Sequence, residues 1–288
     1  MAFDVNIVPS ELIENFQEGR GAIFVGAGLS IDAGFPSWGG LLNELIDESR
    51  KLKWINDDKI NQYVDLISDS SKFLFVAEDL KLELGTKFWD YMSERFAEHD
   101  KTPTLNHELI VQINSSLLIT INYDDLLEQA YTKAYGKYPP KFIYNQSREA
   151  ANNFWKNRFF ILKAHGDASL DVNTLILTQK DYRKTLYREL GYRSLIQAIF
   201  TTKSILFVGV SMNDPEFNQL IDYLHDCYHG GGPKHYLLLD ESENNSTIAR
   251  RYSEDFNILT ISYQNPLKDY KEITEFLSYV QTSCPAKI

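Results

Sequence analysis

Apolar positions along the chain follow two different spacings. Leu12, Ile13 and Phe16 recur at helical spacing and predict a first helix over residues 10–18. The next apolar run is AIFVGAGLS, residues 22–30, which predicts a buried strand that ends in a glycine turn. Between residues 41 and 115 the spacing is helical, with predicted helices over 73–84, 88–96 and 107–113. This stretch predicts a helical module inserted between the first two strands.

Strands and helices alternate over the rest of the chain. The predicted strands are SLLITINYD, FFILKAHG, NTLILT, SILFVGVS, KHYLLLD and NILTISY, and the predicted helices span 126–134, 186–200, 217–227 and 270–280. Continuously apolar strands alternating with helices favour a parallel sheet that is covered on both faces. We therefore predict an α/β fold of the Rossmann-like type in one domain over 1–288. Its core would comprise 1–40 and 116–288, and the helical insert 41–115.

Composition and charge narrow the classes of function. The chain has 288 residues, of which 43% are hydrophobic, so we expect a folded globular protein. Its formal net charge of −11 argues against direct binding to nucleic acid. The amino-terminal stretch lacks the pattern of a signal peptide, and no apolar run reaches the length of a membrane helix. These features predict a cytoplasmic protein that has no membrane contact.

Metal-binding patterns are weak. The two cysteines, Cys227 and Cys284, form no CxxC pair, so this chain cannot supply a four-thiolate zinc site. His225 and His229 have ligand spacing, but they form no metal pattern with nearby acids and have no convincing third ligand. We predict that no metal is bound.

Small and polar residues follow two of the predicted strands. Gly26-Ala27-Gly28-Leu29-Ser30 ends the first strand, where glycines allow a sharp turn and the close approach of a pyrophosphate. Asn122 and Asp124 follow the next strand, at the edge where open α/β sheets bind ligands. Asp124 is equally suited to cap the following helix, whereas Asn122 is interpreted as functional.

Two later strands end in the same manner. His165 lies in Ala164-His165-Gly166-Asp167, and histidine is suited to proton transfer near neutral pH. Gly209 and Ser211 precede Asp214-Pro215, a pair that favours the start of a helix. Together the four strand ends predict one crevice. His107, by contrast, lies at a helix start, where capping or packing is expected.

The motifs GAGLS, TINYDDLLE, KAHGD and SILFVGVSMNDP, in this order around a helical insert, resemble the sirtuin superfamily. The closer resemblance is to the zinc-free, sirtuin-like NAD⁺ hydrolases of bacterial antiphage defence. That resemblance implies NAD⁺ as the substrate and Asn122 and His165 as the catalytic pair. It also implies a homo-oligomer and a separate ATPase or sensor chain as partners. The positions implied to surround NAD⁺ are Gly26, Ala27, Gly28, Ser30, Asp124, Gly209 and Ser211.

The chain departs from the protein-deacylating sirtuins in two places. It lacks their four-cysteine zinc module, and Gly34-Phe35-Pro36-Ser37-Trp38-Gly39 lacks the acid and the arginine that follow their glycine motif. Both departures favour an NAD⁺ hydrolase. An NAD⁺-dependent deacylase and a non-catalytic subunit that senses NAD⁺ or ADP-ribose remain alternatives. A dehydrogenase is disfavoured because the full dinucleotide fingerprint is missing.

Overall fold

The chain folds around a seven-stranded sheet in which all neighbouring strands are parallel. The computed structural model describes residues 4–97, 99–210, 221–222, 232–265 and 270–287. The strands are β1 Gly21–Val25, β2 Leu118–Thr120, β3 Lys141–Ile143, β4 Ile161–Lys163, β5 Ser204–Val208, β6 His235–Asp240 and β7 Ile258–Tyr263. They lie in the order β3-β4-β2-β1-β5-β6-β7. The predicted α/β class is confirmed.

Helices cover both faces of the sheet. They are α1 Ser10–Gln17, α2 Trp38–Lys51, α3 Asp57–Leu66, α4 Phe73–Leu84, α5 Thr86–Phe96, α6 Leu105–Val111, α7 Leu126–Tyr135, α8 Ser147–Trp155, α9 Gln179–Arg188, α10 Leu190–Thr202, α11 Ser246–Phe256 and α12 Lys271–Ser283. Successive residues of β1 point to opposite faces, as the strand period requires. Ile23 and Val25 pack with α1, α6, α7 and α12, whereas Ala22 and Phe24 pack with α8, α10 and α11.

The order of the strands reverses at β1. Val25, the last residue of β1, lies opposite Thr120 of β2 on one side and Val208 of β5 on the other. From this centre the chain builds outward first through β2 and later through β5. Such a reversal opens a crevice at the carboxyl ends of the strands, where ligands of open α/β sheets bind.

Among the described residues between β1 and β2 there are helices α2 to α6 and 3-10 turns, but no strand. Helices α2 to α5 share a hydrophobic cluster of their own, which also takes in Phe35, Tyr123 and Leu126. Helix α6 instead packs on α7 and α12, against the sheet. The proposed division into a core over 1–40 and 116–288 and an insert over 41–115 stays a prediction.

Two of the predicted elements differ in the structure. The run NTLILT is not a strand: Val172–Thr174 form a 3-10 turn, and Leu175 to Leu177 are buried without joining the sheet. The N–H of Ile176 donates to the carbonyl of His165, and Tyr123 Oη donates to the carbonyl of Ile176. The apolar run therefore covers the carboxyl edge of the sheet.

The helix predicted over 186–200 is divided in two. Glu189 has a non-helical backbone, with φ −87° and ψ 69°, and separates α9 from α10. Helix α9 begins earlier than predicted because Thr178 and Asp181 form a capping box at its start.

Part of the sequence prediction lies outside the described residues. This part comprises the site residue Ser211, His225, His229 and the helix predicted over 217–227 except for its residues 221–222. Among the helices that are described, none combines the length and the apolar character needed to cross a membrane.

Candidate functional site

The turns that follow β1 and β5 touch each other at the reversal of the strand order. The N–H of Gly26 donates to Val208 O and the N–H of Gly28 donates to Gly209 O, each at 2.9 Å. A Cβ atom on Gly28 would lie only 2.8 Å from Gly209 O, and Gly209 has a φ of +71°. Glycine is therefore required because the two backbones approach so closely. The Gly28 N–H is used in this contact and is not left for a phosphate.

Asn122 is fixed beside the first turn. Its side-chain Nδ2 donates to Gly26 O and to Ser30 Oγ, both at 3.1 Å. Its backbone N–H donates to Thr120 Oγ1 at 3.0 Å. Among the described residues the buried Oδ1 atom of Asn122 has no hydrogen-bond partner. Because both Nδ2 hydrogens are used, the amide has one orientation and retains one acceptor for a water or a ligand.

Ser30 continues this network to His107. Burial lowers the pKa of His107 to about 4, against an opposing effect of the Asp124 charge. The ring is therefore neutral near pH 7, and Nδ1 accepts from Thr104 N at 3.3 Å. Its Nε2 then carries the hydrogen and donates to Ser30 Oγ at 3.4 Å. Ser30 Oγ thus accepts from two groups and keeps its own hydrogen to donate.

The expected capping role of His107 is present as well. Thr104 and His107 form a capping box at the start of α6. The contact with Ser30 was missed because a sequence shows local capping signals but not a neighbour that lies 77 positions away.

His165 follows β4, the strand beside β2. Its Nε2 lies 2.8 Å from Tyr182 Oη of α9, and the two rings meet edge to face at 5.1 Å. The carbonyl of His165 accepts from Ile176 N at 3.0 Å. The imidazole is buried, and the Tyr182 hydroxyl of α9 holds it in place.

Two clefts meet at the glycine turn. The smaller, of about 480 Å³ including its open mouth, is mainly apolar and is bounded by Phe35, Trp38 and Phe96 beside Asn122 and Asp124. The larger, of about 1110 Å³ including its open mouth, runs over the turns of β1 and β5. It is lined by Asp240, Tyr263 and Tyr270, among others. The clefts share Ala27, Ser37 and Trp38, so they adjoin each other and are described together as one crevice.

Most of the residues predicted for the site line this crevice. They are Ala27, Gly28, Ser30, Asn122, Asp124 and Gly209. Gly26 lies beneath it, as the acceptor of the Asn122 amide. His165 is absent from the lining of both clefts and lies on the adjacent strand end. The roles of these residues stay predictions.

Asp124 shows the capping behaviour that was one of its two interpretations. Its Oδ1 accepts from Leu126 N at 3.1 Å, at the start of α7. Asp124 also lines the smaller cleft, so the capping contact leaves the ligand role untested.

Trp38 was not predicted as a site residue from the sequence. It lies in both clefts, and its buried indole Nε1 has no partner within the described part of the chain. Tyr263 and Tyr270 were likewise assigned only to elements. Among the described residues there is no group of three or more His, Cys, Asp or Glu side chains arranged to hold a metal.

Comparison with known proteins decides the family. Residues 116–261, just over half of the chain, match the model of the SIR2-like domain. The chain belongs to the SIR2-like family. The resemblance inferred from the strand-end motifs is therefore confirmed.

Individual relatives are distant but extensive. The NAD(+) hydrolase ThsA of Bacillus cereus strain MSX-D12 is 26% identical and matches 98% of this chain and 58% of its own length. The ThsA protein of Acinetobacter baumannii strain 532279 is 26% identical over 91% of this chain and 50% of its own length. Defense-associated sirtuin 2 of Bacillus subtilis is also 26% identical, over 80% of this chain and 22% of its own length. The chain thus spans little more than half the length of the curated relatives that it matches most fully.

Among solved structures, Sir2Tm bound to a propionylated peptide is 13% identical, with a TM-score of 0.46. The match covers 95% of this chain and 97% of that one.

Proposed function

We propose that this SIR2-like chain binds NAD⁺ across the two joined clefts and hydrolyses its nicotinamide–ribose bond. The observation that carries the proposal is the crevice at the reversal of the strand order. There, the glycine turns of β1 and β5 meet and the Asn122 amide is fixed beside them.

The shapes of the clefts suggest how the dinucleotide would lie. The smaller, apolar cleft suits the flat nicotinamide ring, with its ribose near Asn122 and Ser30. The pyrophosphate would cross the turns at Ala27 and Gly28, which line the larger cleft with a methyl group and with no side chain, respectively. The larger, more polar cleft would take the adenosine half.

The chemistry needs two functions from the protein. Nicotinamide leaves readily because its ring nitrogen is cationic in NAD⁺, and its departure builds positive charge on the ribose. The unpaired Asn122 Oδ1 would accept a hydrogen bond from the attacking water or from a ribose hydroxyl. His165 would take the proton that this water or hydroxyl releases.

The relatives support this assignment. ThsA proteins from several bacteria are named NAD(+) hydrolases, and a further relative is named a defense-associated sirtuin. We accordingly place the activity in antiphage defence, where it would deplete NAD⁺. A homo-oligomer, a separate ATPase or sensor chain as partner and a cytoplasmic location complete the proposal.

Incubation of the purified protein with NAD⁺, alone and with an acetylated lysine peptide, tests the reaction. We expect nicotinamide and ADP-ribose in equal amounts, at a rate that the peptide does not change. Release that requires the peptide and yields an acetylated ADP-ribose would indicate a deacylase instead. Binding of NAD⁺ in calorimetry without any nicotinamide release would indicate a sensing subunit.

A further inference from the structure

A cluster of four charged side chains is buried beneath the candidate site. Lys163 of β4, Glu128 of α7 and Asp167 are almost completely inaccessible to solvent, and Lys141 of β3 is 15% exposed. Lys163 Nζ lies 3.5 Å from Glu128 Oε1 and 3.5 Å from Asp167 Oδ1. Lys141 Nζ lies 3.5 Å from Glu128 Oε1 and also pairs with Asp167. Two cations thus face two carboxylates.

Burial and the opposite charges act against each other in this cluster. Against the effect of burial, the carboxylates of Glu128, Asp167 and Asp124 raise the pKa of Lys163, and the two lysines lower the pKa of Asp167. Burial raises the pKa of Glu128, although the two lysines oppose that effect. Burial nevertheless makes such a cluster costly, and well-packed apolar residues of similar volume are often at least as stabilising. A gain in stability therefore does not account for this cluster of buried charges.

Lys163 differs from Lys141 in what else it touches. Its Nζ donates to the main-chain carbonyl of Asp124 and lies 3.4 Å from the carbonyl of Tyr123. These two residues directly follow Asn122 in a segment without regular secondary structure. The ammonium group therefore holds from below the backbone that carries the Asn122 amide.

The same ammonium also contacts the loop that carries His165. Its partner Asp167 lies two residues after His165, and the N–H of Ala168 donates to the Tyr123 carbonyl at 3.3 Å. One buried side chain consequently joins the two strand-end loops on which the predicted catalytic residues stand. Among the described residues, Lys141 makes no hydrogen bond to the main chain of either loop, and its Nζ donates to Ser169 Oγ at 3.1 Å.

We propose that Lys163 is a positioning residue that fixes the Asn122 loop relative to the His165 loop for the hydrolysis of NAD⁺, an inference that rests on the proposed function. Lys163 does not touch the substrate. Without it, substrate still binds, but the two side chains no longer hold the geometry that the reaction needs. A misplacement of about 1 Å in such a pair costs on the order of 100-fold in rate.

Two double variants test this with matched loss of charge. K163M/E128Q removes one cation and one anion and leaves the Lys141–Asp167 pair. K141M/E128Q removes the same charges and leaves the Lys163–Asp167 pair. Both remain neutral overall and avoid an uncompensated buried charge, which would unfold the protein for unrelated reasons. If K163M/E128Q does not fold, K163L/E128Q provides a smaller apolar replacement for the same comparison.

The first readout separates kcat from substrate binding. We expect K163M/E128Q to lose on the order of 100-fold in kcat, with the Kd for NAD⁺ within about threefold of the wild type. We expect K141M/E128Q to keep kcat within about threefold. Equal kcat in the two variants, or a loss confined to Kd, would overturn the proposal.

The second readout does not depend on activity. Hydrogen–deuterium exchange should accelerate in the peptide that contains residues 121–127 of K163M/E128Q and remain at the wild-type rate in K141M/E128Q. A wild-type protein that fails to cleave NAD⁺ would refute the proposed function, whereas the exchange result would still decide whether Lys163 holds the loop. Unchanged exchange in both variants would overturn the positioning role.

Discussion

The Asn122 amide is held at the end of a relay of side chains that runs through Ser30 and His107 to Thr104. Each donor in this relay has a defined acceptor only while the His107 ring is neutral. Protonation of Nδ1 would remove the acceptor of the Thr104 N–H. The low pKa of His107 therefore keeps the network in one state across the physiological range.

The low pKa of His107 has a measurable effect on stability. Its folded-state value of about 4 lies below the ordinary 6.5, so the unfolded chain takes up the proton first as the pH falls. Stability is therefore retained above pH 6.5 and is lost as the pH falls from there toward 4. Between pH 7 and pH 5 this group contributes a loss of about 2 kcal/mol in the free energy of unfolding.

His107→Gln should remove that loss and keep the helix cap, because glutamine also accepts from the N–H of a capping threonine. Urea unfolding of both proteins at pH 7 and pH 5 measures the free energy of unfolding. Its change with pH reports the loss caused by His107, and its value at pH 7 reports whether the helix cap is kept. His235 has a similarly low pKa of about 4 caused by burial, but it is present in both proteins and cancels in the comparison. An equal pH-dependent loss in the wild type and the variant would contradict the assignment.

Tyr182 orients the His165 ring through its hydroxyl. Tyr182→Phe should lower kcat about fivefold, since one neutral hydrogen bond is worth about 1 kcal/mol, and should leave the Kd for NAD⁺ unchanged. Tyr187→Phe makes the same change on the same helix at a 70% exposed position and serves as the control. Wild-type kcat in Tyr182→Phe would show that the contact does not position the imidazole.

Some residues of the site could be predicted from the sequence, and others could not. Asn122 and Gly28 were found because each lies within three residues of the end of an apolar strand, and strand ends of a parallel sheet share one edge. Trp38 and Lys163 were not found. Trp38 begins a helix in sequence, and Lys163 ends a strand as an ordinary polar residue would. Their roles depend on neighbours that are brought close only by folding.

At the scale of elements, the turns of β1 and β5 behave as one unit. A Cβ atom on Gly28 would meet the backbone of Gly209, and backbone cannot move aside as the end of a flexible side chain can. The floor of the crevice is therefore set by contact between two main chains.

Gly28→Ala should separate the two turns, lower the free energy of unfolding by about 1–3 kcal/mol and weaken NAD⁺ binding. Gly40→Ala is the matched control, because a Cβ there would meet only the side chains of Pro36 and Ser37, at 3.2 Å. Calorimetry with NAD⁺ and thermal unfolding measure the two effects. Binding at wild-type affinity by a folded Gly28→Ala protein would show that this approach does not shape the site.

The elements that the sequence predicted best are the long central strands. β1 and β5 are buried at every position and read as continuous apolar runs. NTLILT has the same character but covers the sheet edge, because its buried main-chain groups pair with His165 and Tyr123. Local pattern cannot separate these two kinds of burial. The short strand β3, and helices α3, α8 and α11, were not predicted.

At the scale of the whole molecule, the helices between β1 and β2 close one side of the crevice. Trp38 of α2 and Phe96 of α5 line its smaller cleft. Lys81 of α4 pairs with Asp181 of α9 at 2.8 Å, and α9 carries the Tyr182 that holds His165. The helical segment therefore lies beside Asn122 in the smaller cleft and is linked to His165 through α9.

Turnover should be independent of metal, because a chain with two cysteines cannot form the four-thiolate zinc site of the deacylating sirtuins. Nicotinamide release measured before and after dialysis against EDTA should agree within about twofold. A catalytic zinc, by contrast, would activate water by lowering its pKa, and its removal would lower the rate by much more. Loss of activity after dialysis, followed by recovery on adding zinc, would contradict this expectation.

The central claim is that Asn122 and His165 cleave NAD⁺ at the reversal of the strand order. Nicotinamide release by the wild type, Asn122→Ala and His165→Ala tests it most directly, with Asn152→Ala on the exposed face of α8 as the control. Circular dichroism confirms that each variant is folded. We expect the control to match the wild type and both site variants to lose on the order of 10²–10⁴-fold in rate. Folded site variants that release nicotinamide at the wild-type rate would contradict the account.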